Sequence, residues 1–260
     1  MAAGIEVEGW RNADGGFGPV PGAGSEVEAT GMVAVAFDDD RARAWLADAQ
    51  EADGSLGMQA GSVVRDATAL GALALHPGAE RERALDHLVS LYGRNGGDPA
   101  FDTFGWPWTR GAHGWTEPTA WGLMAIRHRV GSSDRLADAL AFFHERECVG
   151  GGWNHGSPEA LGVNIGPYVQ TTAIALLALA DDAPELAKRG LRVLERTWRA
   201  ESDGVLTLAT AVCALRRARS VEASEAAVVL GSRVEEAAGD TVNAAWLAFA
   251  NGAPGPWEAL

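Results

Sequence analysis

Two kinds of apolar pattern alternate along this chain. The first is apolar on nearly every side and is clearest from Gly105 to Ile126, where a Gly/Trp-rich turn runs into a helix start. Pro118 has the fixed φ and missing N–H that suit a first helical turn, with Thr116 or Glu117 expected as cap. A helix that is apolar all round yet too short to span a bilayer must be buried on two faces. The same pattern predicts buried helices over residues 25–37, 62–75, 168–180, 204–217 and 240–250. Between them lie amphipathic stretches with a single apolar stripe. These are residues 40–50, 80–92 (Leu85, Leu88, Leu91), 133–147, an outer helix carrying Leu191, Leu194 and Trp198, and 223–238.

The alternation is a repeat. An acid or amide, then any residue, then Thr opens successive buried helices: Glu28-Ala29-Thr30, Asp66-Ala67-Thr68, Glu117-Pro118-Thr119 and Gln170-Thr171-Thr172. Leu208-Ala209-Thr210 is a degenerate copy, and residues 241–245 a weaker sixth. Turns such as Gly15-Gly16-Phe17, Gly54-Ser55-Leu56 and Gly151-Gly152-Trp153 precede several of them. Threonines 38, 51, 53 and 38 residues apart suit a helix pair plus a variable loop. The expectation is one all-α domain over residues 1–260, in which about six helix hairpins close into an (α/α)6 toroid. A closed ring gives every inner helix two buried faces.

Composition narrows the partners. At 47% hydrophobic residues the chain can bury a large core. A formal charge of −14 argues against nucleic acid or anionic membrane. Two cysteines, Cys148 and Cys213, are too few for a disulfide framework, and residues 1–10 show no export signal, so a cytoplasmic setting is expected. Asp38-Asp39-Asp40 reads as an N-cap and acidic first turn of the next helix rather than as a metal or diphosphate cluster.

The turn Gln50 to Leu56, the turn Gly151-Gly152-Trp153-Asn154 and the helix start Glu117-Pro118-Thr119-Ala120-Trp121 resemble the prenyltransferase and squalene-oxidase repeat. That repeat belongs to the terpenoid cyclase and protein prenyltransferase toroid superfamily, and the resemblance covers about five of six units. It implies chemistry at the mouth of the ring. Cyclases of this kind protonate with Asp-x-Asp-Asp-Thr; here Asp66 and Thr68 match the middle acid and the threonine, while Val64 and Ala67 stand at the other acidic positions. Protein prenyltransferases bind zinc through Asp-x-Cys, but each such cysteine position is Thr here, so neither a metal nor another cofactor is expected.

The inner helices should start near residues 27, 65, 117, 169, 206 and 241 and place their acids around one mouth. Expected catalytic groups are Glu117, Asp66, Glu28 and His113; expected substrate contacts are Arg65, Arg110, Trp106, Trp108, Trp121, His155 and Gln170. Acids over an apolar cavity suit proton donation, tryptophans suit a cationic intermediate, and arginines suit a diphosphate. The leading expectation is an isoprenoid, or its diphosphate, bound or transformed by acid–base chemistry. Two alternatives stay open: a carbohydrate-active hydrolase or lyase with paired carboxylates, and a non-catalytic binding subunit with a partner chain.

Overall fold

The computed structural model describes residues 6–59, 66–94, 103–127, 129–180 and 182–258. Eleven α-helices account for most of the described residues: α1 Val27–Ala36, α2 Asp40–Asp48, α3 Thr68–Ala74, α4 Ala79–Ser90, α5 Thr116–Ile126, α6 Ser133–Glu145, α7 Val169–Leu179, α8 Pro184–Thr197, α9 Val205–Arg217, α10 Ala223–Gly231 and α11 Thr241–Ala250. The only strands among the described residues are β1 Glu159–Ala160 and β2 Val163–Asn164, a short antiparallel hairpin in the loop before α7.

The odd-numbered helices are the apolar ones. All of α3 is buried, as is all of α5 except Glu117 and all of α7 except Gln170. Each packs on the next odd-numbered helix in chain order, and α11 packs back onto α1. From α2 to α10, each even-numbered helix lies against the odd-numbered helix before it. Their patterns follow: α8 buries Leu186, Gly190, Val193 and Leu194 and leaves its charged face to solvent.

One device is repeated four times and fixes each hairpin. The backbone N–H groups of Phe17, Leu56, Trp106 and Trp153 donate to the Oγ1 atoms of Thr30, Thr68, Thr119 and Thr172 at 2.9, 2.9, 2.9 and 3.0 Å. The carbonyls of the same four residues accept from Glu26, Ala67, Trp115 and Tyr168 at 2.9, 2.8, 3.0 and 3.1 Å. Threonine is required because this buried N–H has no other partner, and leaving it unmet is costly. Glycine is required beside it: a Cβ on Gly105 would lie 2.3 Å from Thr119 Oγ1, and one on Gly122 would lie 2.4 Å from the Trp106 ring. The degenerate copy lacks the turn, and Thr210 Oγ1 bonds only its own helix at Thr207 O, 2.8 Å away.

Several expected boundaries move. The helix expected over 62–75 starts, within the described residues, at Thr68, so Asp66 lies ahead of it; residues 60–65 fall outside the description. The segment expected as one helix over 223–238 divides into α10 and a 3-10 turn, Val234–Ala237. Neither Thr116 nor Glu117 caps α5. The cap position is Trp115, and the orphan N–H of Thr116 is met instead by His155 O at 3.1 Å. Asp39 does cap α2, accepting from Ala42 N at 2.9 Å.

Candidate functional site

The N-terminal ends of the apolar helices are joined edge to edge. Val27 N donates to Met58 O, Asp66 N to Trp108 O, Thr116 N to His155 O and Thr241 N to Pro19 O, at 2.8, 2.7, 3.1 and 2.9 Å. Val169 N donates to Glu201 Oε2 at 3.1 Å. The ends of α1, α3, α5, α7 and α11 therefore each lean on the loop before the next odd-numbered helix, and the expected acids share this rim.

Below the rim, positions spaced i, i+4, i+7 form a stripe on every odd-numbered helix. The top row is Glu28, Glu117, Gln170, Leu208 and Val242, and Asp66, two residues ahead of α3, holds the matching sequence position. The middle row, Met32, Leu70, Trp121, Ile174, Val212 and Trp246, is buried throughout. In the third row Leu73, Met124, Leu177, Leu215 and Phe249 are also buried, while Val35 is half-buried. α5 and α11 stand three places apart in the packing order, yet the rings of Trp121 and Trp246 lie 6.1 Å apart. Trp257, beyond α11, stacks on Trp246 at 5.8 Å and meets Phe249 at 5.6 Å. The two indoles thus form a floor, Trp121 lying one helical turn, about 6 Å, along α5 from Glu117.

At the rim, Asp66 Oδ1 accepts from Thr68 N at 3.0 Å, and Oδ2 lies 2.9 Å from His87 Nε2. The His87 side chain is 5% exposed and that of Asp66 11%. The other ring nitrogen of His87 is 4.0 Å from Asp53 Oδ2, which also accepts from Arg110 at 3.0 Å. The hydroxyl and backbone N–H of Ser55 are the main reasons that the Asp53 carboxyl is held down at about 2, with Arg110 and His87 adding to them. A carboxylate–imidazole–carboxylate row thus ties the segment between α2 and α3 to α4, and Arg110 extends it to the loop before α5. Nothing in the sequence motif signals His87. It falls three residues after Ala84 and one before Leu88, so helical spacing alone places it on the buried stripe of α4.

Buried arginines hold the two rim loops. Arg135 of α6, 1% exposed, donates to Phe104 O and Leu91 O at 3.0 and 2.9 Å and stacks over Trp106 at 3.7 Å and Tyr92 at 4.3 Å. Desolvation lowers its pKa to about 10, which leaves it cationic at neutral pH. Arg146 donates to Gly156 O at 2.8 Å in the second loop.

Of the expected residues, Glu28, Glu117 and Gln170 sit half-buried in the first turns of α1, α5 and α7. Trp106 is buried with its indole N–H on Leu88 O at 3.0 Å, and Trp153 likewise on Phe143 O at 2.8 Å, so both serve the packing of loops on outer helices. Trp108 is half-buried, and its carbonyl receives Asp66. Arg110 is tied to Asp53; His113 is exposed, with Nδ1 3.4 Å from Arg94 O. Arg65 lies outside the described residues. His155 is exposed between two half-open rings, 6.1 Å from Trp115 and 5.1 Å from Tyr168. Among the described residues no three His, Cys, Asp or Glu side chains converge as metal ligands, and no helix is long and apolar enough to cross a membrane. No protein-family model and no curated protein matches the chain.

Proposed function

We propose that the chain is a terpenoid-cyclase-like (α/α)6 toroid whose mouth takes an isoprenoid-class ligand and works on it by acid–base chemistry. Support for the ring is the packing order of the odd-numbered helices, which returns from α11 to α1. Support for the ligand class is the indole and aliphatic floor under a polar rim. The observation that carries the chemistry is the pairing of Asp66 with the buried His87 at 2.9 Å. In this reading the proton of that hydrogen bond is the one delivered to a ligand lying across the mouth. Glu117 and Glu28 are the further acids of the rim. Because Trp121 and Trp246 close the ring one turn down, such a ligand lies over the floor rather than along the ring axis.

A second reading has its own support. The partly exposed Trp115–His155–Tyr168 row presents ring faces and neutral polar edges, the surface that sugar rings use. Calorimetric titration with farnesol, farnesyl diphosphate and a neutral oligosaccharide separates the two. The isoprenoid reading expects prenyl binding that Asp66→Asn and Glu117→Gln weaken by about tenfold or more, with little change in thermal stability. Prenyl binding that is absent, or untouched by both substitutions, overturns it; oligosaccharide binding lost in Trp115→Ala establishes the sugar reading.

A further inference from the structure

At the other end of the ring helices a second cleft stands apart from the mouth. It lies between the C-terminal ends of α7 and α9 and the start of α8, encloses about 380 Å³, and is walled by Leu176, Ala180, Pro184, Ala187, Leu191 and Ala214. Its polar lining is cationic: Lys188 and Arg217. Arg192, one turn beyond Lys188 on α8, is exposed.

The charge here runs against that of the molecule. Residues 184–219 hold eight of the 21 basic side chains and only four of the 35 acidic ones, so this region is net positive within a chain of −14. The carboxylate next to the cleft, Glu185, is bonded to Lys188 at 2.6 Å; it is 77% exposed at its side chain, and its pKa is lowered first by that bond and then by the fields of Lys188, Arg189 and Arg192. Glu185 thus shows what this edge attracts. The C-terminal ends of α7 and α9 carry partial negative charge, so side-chain cations and the α8 N-terminus must supply the attraction for any anion. An apolar trough of this size with cations at one edge matches a single acyl chain ending in a carboxylate.

We propose that the α7–α8–α9 cleft is a binding site for an acyl carboxylate, the chain lying along Leu176, Ala187 and Leu191 and the head group replacing Glu185 on Lys188. The site is independent of the mouth and of any chemistry there.

The test is calorimetric titration of the full chain with decanoate, decanol and decyltrimethylammonium at low ionic strength. The expected result is saturable binding of decanoate and binding of the other two weaker by at least about tenfold. Lys188→Glu should weaken decanoate by a similar factor, Glu185→Gln should tighten it by removing the competing carboxylate, and Ala187→Trp should abolish it by filling the trough. All three positions are exposed or half-buried, so melting temperatures near that of the parent certify folding. No saturable decanoate binding, equal binding of the cationic or neutral amphiphile, or indifference to both Lys188→Glu and Ala187→Trp overturns the proposal.

Discussion

Replacing Trp246 by alanine asks whether the middle of the molecule is core or open cavity. The side chain is 2% exposed and meets Trp121, Phe249 and Trp257 at ring separations of 6.1, 5.7 and 5.8 Å. Truncating a buried tryptophan removes its transfer free energy and leaves a void, for about 3–5 kcal/mol in total. The loss of three ring pairs, each about 0.5–1.5 kcal/mol, places the cost toward the upper end of that range. For a chain of this length about 2–4 °C is lost per kcal/mol, so a fall in Tm of roughly 8–20 °C is expected. Urea unfolding followed by far-ultraviolet circular dichroism gives the free energy directly, with the slope m as a check that the unfolded state is unchanged. Trp115→Ala, at the partly exposed rim, is the control and should cost less than about 1 kcal/mol. If Trp246→Ala cost no more than Trp115→Ala at unchanged m, the indoles would not be core, and the floor under the rim would be an open space instead.

Thr119→Val keeps the volume but strands the Trp106 N–H, and should cost about 1–3 kcal/mol in the same urea assay. Thr210→Val, whose hydroxyl serves only its own helix, should cost less; equal costs would mean that the turn bond contributes nothing. Asp53 is depressed to about 2 when folded, so its contribution is complete above its ordinary value near 4 and is lost as pH falls through about 2. Asp53→Asn should therefore flatten the acid limb of a Tm-against-pH profile in that window, by a small amount because the group is half-exposed; an unaltered limb would remove Asp53 from the acid response.

The apolar pattern located the inner helices closely: starts expected near 27, 117, 169, 206 and 241 lie at Val27, Thr116, Val169, Val205 and Thr241. Those segments are buried on all sides, so period and burial agree. At the second unit the motif and the helix part company, because Asp66 accepts from the N–H of Thr68 in a local turn through Ala67, and the helix starts only after it. What the pattern hid were charged groups on apolar stripes. His87, Arg135 and Arg146 read as surface residues by type, yet each is buried, with loop carbonyls or a carboxylate from other segments meeting its outer nitrogens. Such partners come together only when the helices pack, so spacing can put His87 on a buried stripe but cannot show what meets it there. The tryptophans divide as well: Trp106, in the loop before α5, meets an outer helix through Leu88 O, whereas Trp121, within α5, faces Trp246 of α11.

The contact of α11 with α1, and the bond from Thr241 to Pro19, also bear on the order of folding. Every other joint between odd-numbered helices spans one repeat of some forty to fifty residues, whereas this one spans nearly the whole chain. Loop-closure entropy grows as the logarithm of length, so sealing it costs about 1.5 kcal/mol more than forming a neighbouring hairpin. Hairpins should therefore assemble first and the seam last, with the chain held until then as an open string whose two end helices each show an uncovered apolar face. In the cell that interval, rather than the finished fold, is when this acidic protein is most exposed to aggregation.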